Sequence, residues 1–150
     1  MSEDEAYSEA LHALSGRLQR EGLTCILLQG ERVLTSTQRG VAPLVAWLDA
    51  GEGAGCIAAD KVVGRAAAFL YVLLGVRAVF AGVMSEGGRR VLSAHGIHAE
   101  YGALCDVIIN RAGTGMCPME EAVRSAVRPE EALALIRRRQ RELRGGKPEQ

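Results

Sequence analysis

The sequence predicts an α/β fold, a mixed sheet of about five strands with helices on both faces. Three observations predict it. Short runs rich in β-branched and apolar residues alternate with longer stretches of helical periodicity. The first two strand-like runs are joined by a short glycine-bearing turn, whereas the later ones are separated by helices, which mixes a hairpin with βαβ units. The chain has 150 residues and a formal net charge of zero, which fits one domain burying roughly 70% of its unfolded surface.

From Glu5 to Glu21, Ala6, Ala10, Leu11, Leu14 and Leu18 recur at helical spacing, and Gly22 is placed to end that helix. Thr24–Leu28 and Arg32–Ser36 flank Gln29-Gly30-Glu31 and predict a β-hairpin. Val41–Ala50 predicts a short helix closed by the glycines between 51 and 55, and Cys56–Ala59 a short buried strand. Val62–Leu74 is apolar nearly all round, so it predicts a helix packed on most sides, with Asp60-Lys61 at its start. Arg77–Met84 predicts a strand, Arg90–His95 a helix, Ile97–Tyr101 a strand and Leu104–Ile109 a helical turn. Helices over Pro118–Val127 and Pro129–Leu143 complete the chain. The expected organisation is a single domain over 1–144, with its core near 23–127 and a disordered tail over 145–150.

Composition narrows the function classes. Zero net charge and few aromatics argue against a nucleic-acid partner, and the basic end (Arg137 to Lys147) reads as a solvated helix face. Arg65, Gly75 and Arg77 interrupt the most apolar run, so no membrane span is expected. The acidic, polar start lacks a secretory signal, and four cysteines without C-x-x-C spacing make a poor disulfide framework, so a reducing cytoplasm is the expected compartment.

The candidate site centres on Asn110-Arg-Ala-Gly-Thr-Gly-Met-Cys-Pro-Met-Glu-Glu121. Cys117 followed by Pro118 predicts a thiol at a helix start, with Glu120 at the third helical position as half of a capping box. Two readings of Cys117 stand: a nucleophilic or redox-sensitive thiol lowered by the helix dipole, and a small packed residue. Gly113, Thr114 and Gly115 suit an anion cradle with Arg111 as charge partner, although G-T-G alone is a weak signal. Asn110 is either a reader of a base or sugar edge or a turn residue bonding its own loop. Asp60 and Lys61 are either an acid/base or ligand-orienting pair, or a helix cap beside a surface lysine. Gly64, set in an apolar helical run, points to close approach by a backbone or ligand.

The D-K-V-V-G-R-A-A-A run at 60–68 and the I-I-N-R-A-G-T-G-M-C-P-M-E run at 108–120 resemble the hallmarks of an uncharacterised domain-of-unknown-function family with a cytidine-deaminase-like fold. The resemblance covers roughly Leu23 to Val127. It implies a three-layer α/β/α sandwich and no established activity.

Zinc deaminases use H-x-E or C-x-E at one helix start and P-C-x-x-C at another. Here the first position reads Asp60-Lys61-Val62 and the second Cys117-Pro118-Met119-Glu120, with one thiol and a competing lysine cation. His98-Ala99-Glu100 matches H-x-E literally but falls in a predicted strand, where the two side chains share one face. His12 and His95 are expected on helix surfaces without a role. No metal cofactor is therefore expected. The expected function is a small-molecule-binding domain without zinc deaminase activity, with a nucleotide or other anionic metabolite between the Asp60 and Cys117 segments. A metal-independent enzyme using Cys117 as nucleophile, and a structural or regulatory interaction module, are the alternatives. Self-association into a homo-oligomer is expected from exposed sheet edges.

Overall fold

The computed structural model describes residues 2–110 and 112–145. Its order is α1 (Glu3–Arg20), β1 (Cys25–Gln29), β2 (Arg32–Ser36), α2 (Ala42–Asp49), β3 (Ile57–Val63), α3 (Arg65–Leu74), β4 (Ala78–Ser85), α4 (Glu86–Ala94), β5 (His98–Cys105), α5 (Pro118–Ala122) and α6 (Pro129–Gly145). One sheet runs β2-β1-β3-β4-β5. The hairpin strands are antiparallel to each other and β1 is antiparallel to β3, while β3, β4 and β5 are parallel. The mixed five-stranded sheet is therefore as expected.

Alternate residues of the strands feed two cores. Leu14 and Leu18 of α1 pack with Ile26 and Ala59 on one face. Cys25, Leu27 and Ala58 point the other way, into the larger core with α3 and buried residues of α2, α4 and α6. Phe69, Leu70 and Tyr71 are buried to within 1% of full burial, which bears out a helix packed nearly all round. Each such side chain contributes about 1.5–3 kcal/mol by leaving water.

Several element bounds differ from expectation. Strand β3 continues through Asp60 to Val63, so Asp60 is a strand residue and not a helix cap. Gly64, expected one turn inside the helix, is its N-cap. The expected helical turn over 104–109 is instead the end of β5 and an irregular segment leading to a bridge between Ile109 and Met116. Helix α5 stops at Ala122, short of Val127, and α6 runs through Gly145, one residue into the expected tail. Residues 146–150 lie outside the described residues.

The three parallel strands share a kink. Pairing steps from Asp60–Ala81 to Val62–Val83, and from Ala81–Tyr101 to Val83–Ala103. Ala58 and Val63 both reach the larger core although five residues apart, so β3 departs there from strict alternation. Glycine makes the kink possible: a Cβ on Gly82 would lie 2.9 Å from the Lys61 carbonyl oxygen, and one on Gly102 2.9 Å from that of Gly82. Gly82→Ala should cost about 1–3 kcal/mol of stability, read by urea denaturation. A loss within 0.3 kcal/mol, roughly the additivity error of such measurements, would show that the kink tolerates a side chain.

Candidate functional site

Glycine, arginine and glutamate clasp α3 to α5. The first amides of a helix have no intrahelical acceptor, and Gly64 has no side chain to supply one. Glu120 supplies it from the first turn of α5. Its Oε1 accepts from the Arg65 N–H at 2.7 Å and its Oε2 from the Ala66 N–H at 2.8 Å. A Cβ on Gly64 would lie 2.5 Å from the Glu120 carboxyl carbon, so glycine there admits the carboxylate. Glu120 thus caps α3 across the fold and not its own helix. Arg65 returns the contact. Its Nε donates to the Val123 carbonyl at 3.3 Å, its guanidinium also donates to the Ala126 carbonyl, and it lies over the Phe69 ring at 5.1 Å. Burial pushes the Glu120 carboxyl above its ordinary pKa, partly offset by the two amides and the Arg65 charge.

Asp60 faces the larger core. Its Oδ2 accepts from the Tyr71 hydroxyl at 2.6 Å and its Oδ1 from the Val62 N–H at 3.2 Å. Burial pushes its pKa up to about 7 against these opposing bonds. Cys25, its cross-strand partner, is pushed up to about 12 by burial and then by the Asp60 charge. Tyr71 is raised well above its usual value for the same reasons. Asp60 is therefore bound into the sheet–α3 interface. The adjacent Lys61 side chain is exposed, and it forms no ion pair or side-chain hydrogen bond among the described residues.

The loop beyond β5 closes on itself. Asn110 accepts from the Thr114 N–H at 3.1 Å and donates to its hydroxyl at 3.2 Å, while the Asn110 N–H reaches the Gly115 carbonyl. This matches the turn-residue reading of Asn110. Gly113 takes φ +74°, a left-handed position that favours glycine. Arg111 lies outside the described residues. Cys117 precedes α5 with its N–H on the Ile108 carbonyl, and its half-buried thiol caps nothing. Glu120 brings this segment onto Gly64; Asn110 and Thr114 bond each other, and Asp60 bonds Tyr71.

The sequence profile of the TM1506 domain of unknown function (DUF1893) matches residues 13–139. The chain belongs to the TM1506 family. A DUF1893 family protein (TM1506) from Thermotoga maritima, solved by crystallography, superimposes with a TM-score of 0.79 at 22% identity, covering 85% of this chain and 88% of that one. The dCMP deaminase of cyanophage S-TIM5, in apo form, matches with a TM-score of 0.40 at 17% identity, covering 67% of this chain and 99% of that one. A search of curated proteins finds no match. The uncharacterised family expected from the two motifs is thus the one found.

In this member of the TM1506 family the motif side chains do not fit a zinc ion. Asp60 is committed to Tyr71 and Val62, Glu120 to two amides, and Cys117 supplies one sulfur. A catalytic zinc needs three protein ligands around one point, and among the described residues no group of three or more His, Cys, Asp or Glu could hold a metal ion. No helix among them is long and apolar enough to cross a membrane.

A second polar cluster joins α1 to β5. Asp4, Ser8 and His12 stand four residues apart on α1 and meet alternate residues of β5. The Ser8 hydroxyl donates to Glu100, His12 lies 3.5 Å from Glu100, and Asp4 lies 3.4 Å from His98. His98 and Glu100 share one face as expected, with 2.6 Å between Nε2 and Oε2. The i, i+4, i+8 spacing was the available signal. Glu100 sits between Ser8 and His98, so the cluster is not a nucleophile–base–acid relay, which needs the imidazole in the middle. It holds α1 against the sheet.

Proposed function

We propose that this domain binds a small polar metabolite at the carboxyl ends of β3, β4 and β5, without zinc chemistry. The observation that carries the reading is Glu120. A half-buried carboxylate spans the start of α3, and each of its oxygens keeps a second lone pair beyond the amide it already accepts. Carboxyl ends of parallel strands are the ordinary place for ligands in such sheets. Because Glu120 already supplies the negative charge that the helix start favours, the ligand faces it with donors: amino, amide or hydroxyl groups. Its anionic part lies towards Lys61, the exposed cation at the end of β3. Val62, Leu104, Val107 and Ile109 expose 39–51% of their surface near these strand ends, apolar area suited to a ring. A nucleotide has all three features.

Lys61→Ala is the cleanest test, because an exposed side chain without partners changes stability by only about 0.5 kcal/mol or less. Titration calorimetry with nucleoside mono- and triphosphates should find one that binds the wild type and loses about tenfold in affinity or more with Lys61→Ala. A wild type that binds none of them, and that sediments as a dimer disrupted by Leu104→Lys, would favour the interaction-module reading.

A further inference from the structure

We propose a second, separate small-molecule site in the cleft between α1, α4 and the start of β5, built for a nucleoside monophosphate. This cleft has a volume of about 690 Å³, within the range of ligand pockets, and lies at the amino ends of the parallel strands, opposite the Glu120 site. The fold gathers scarce residue types there. The chain has three tyrosines and three histidines, and two of each line this one cleft. Tyr7 and His98 form an aromatic wall, with ring centroids 5.6 Å apart and planes tilted by 34°. His98 is fixed by Glu100 at 2.6 Å and Asp4 at 3.4 Å, so the wall is ordered before any ligand arrives. Tyr101, of the opposite parity along β5, faces away from that wall and lines the α4 side of the cleft, 40% exposed. A base has a π-face that such rings can stack on.

Two arginines, Arg77 and Arg89, line the cleft. The backbone of Arg77 is pinned on both sides, its N–H on the Cys56 carbonyl at 2.8 Å and its carbonyl accepting from the His98 N–H at 3.2 Å. Its guanidinium nevertheless forms no ion pair or hydrogen bond among the described residues. Arg89 gives two donors to one oxygen of Glu86, which leaves its remaining donors available. A guanidinium with free parallel donors recognises phosphate bidentately. Glu3 lines the α1 side and suits the hydroxyls of a ribose or the amino group of a base. Aromatic faces, free arginine donors and an acceptor for hydroxyl or amino groups within one cleft describe a nucleoside phosphate better than a bare anion, which would use only the arginines.

Adenosine, guanosine, cytidine and uridine 5′-monophosphates, the four nucleosides and inorganic phosphate are the probes, with titration calorimetry on the full chain. At least one monophosphate should bind the Lys61→Ala protein at one equivalent, with its nucleoside and free phosphate each about tenfold weaker or worse. Arg77→Ala should weaken it by about tenfold or more. Tyr101→Ala should weaken it as well, measured at a temperature where both proteins are fully folded. Lys61→Ala should leave it intact, which separates this site from the one at Glu120. The proposal is overturned if no monophosphate binds at millimolar concentration. It is equally overturned if binding survives both Arg77→Ala and Tyr101→Ala, or if Lys61→Ala alone abolishes it.

Discussion

Asp60→Asn should stabilise the protein above neutral pH and leave it nearly unchanged in acid. The carboxyl titrates at about 7 in the folded chain because burial disfavours its charge, and near 3.9 when unfolded. Between those values the unfolded chain has released a proton that the folded chain still binds. Stability therefore falls as pH rises from about 4 to 7 and stays low above that window. The gap of about three units corresponds to at most about 4 kcal/mol at pH 8. Because the residue is only half-buried, an advantage of about 2 kcal/mol is the expected result. Asparagine has the same shape and keeps Oδ1 accepting from the Val62 N–H, while its amide nitrogen faces the Tyr71 oxygen, so the Tyr71 hydroxyl must rotate away from the donor role it has towards Asp60. Cys25 does not compete for the effect, since burial and Asp60 push its thiol up to about 12 and it stays neutral throughout. Urea denaturation at pH 4.5, 7 and 9, roughly the bounds of the window, measures this. A difference between variant and wild type that stays constant across the three would mean that Asp60 titrates alike in both states.

The same residue shows where local reading stops. Aspartate before an apolar helical run is a strong cap signal, and nothing near it in sequence says otherwise. Its partner, Tyr71, is eleven residues away on the helix that folds back over the sheet. Only the continuation of β3 to Val63 turns Asp60 into a strand residue. Leu104, Val107 and Ile108 likewise carry a helical period, but period alone cannot say whether a surface exists to bury it. Here Leu104 and Val107 remain about two-fifths exposed and no helix forms. Elements whose signals were local came through: the α1 stripe ending at Gly22, the hairpin across Gly30, and the apolar α3. The candidate site was legible as a set of unusual residues and not as a set of contacts. Gly64 is closely approached, by the Glu120 side chain and not by the backbone or ligand expected there, and Glu120 caps α3 and not its own helix. The Arg65 N–H that Glu120 accepts lies 55 residues away in the chain, and the Arg65 side chain, which completes the contact, carries no sequence signal beyond an arginine in an apolar run.

That contact makes the second large effect, a loss of additivity. Gly64→Ala should destabilise by about 2 kcal/mol, because a methyl group 2.5 Å from the Glu120 carboxyl carbon must expel the carboxylate and leave the Arg65 and Ala66 amides without it. The φ of Gly64 is −100°, so backbone strain is not the cause and the whole cost is the collision. Glu120→Ala removes the same two bonds directly and should also cost about 2 kcal/mol. Once the carboxylate is gone, alanine at 64 meets nothing that Glu120 had placed there. The double variant should then lie about 2 kcal/mol below wild type and not about 4, a coupling near 2 kcal/mol that only residues sharing one interaction show. Glu120→Gln separates charge from shape. It keeps one acceptor for one amide, so it should fall between wild type and Glu120→Ala, and Gly64→Ala should remain costly in its presence. Chemical denaturation of the four members of the cycle gives the coupling directly. Costs that simply add would mean that the collision at Gly64 is with something other than Glu120, and the clasp between α3 and α5 would lose its basis. If the coupling is found, any ligand that engages Glu120 must also raise the stability of α3, since the two share one carboxylate.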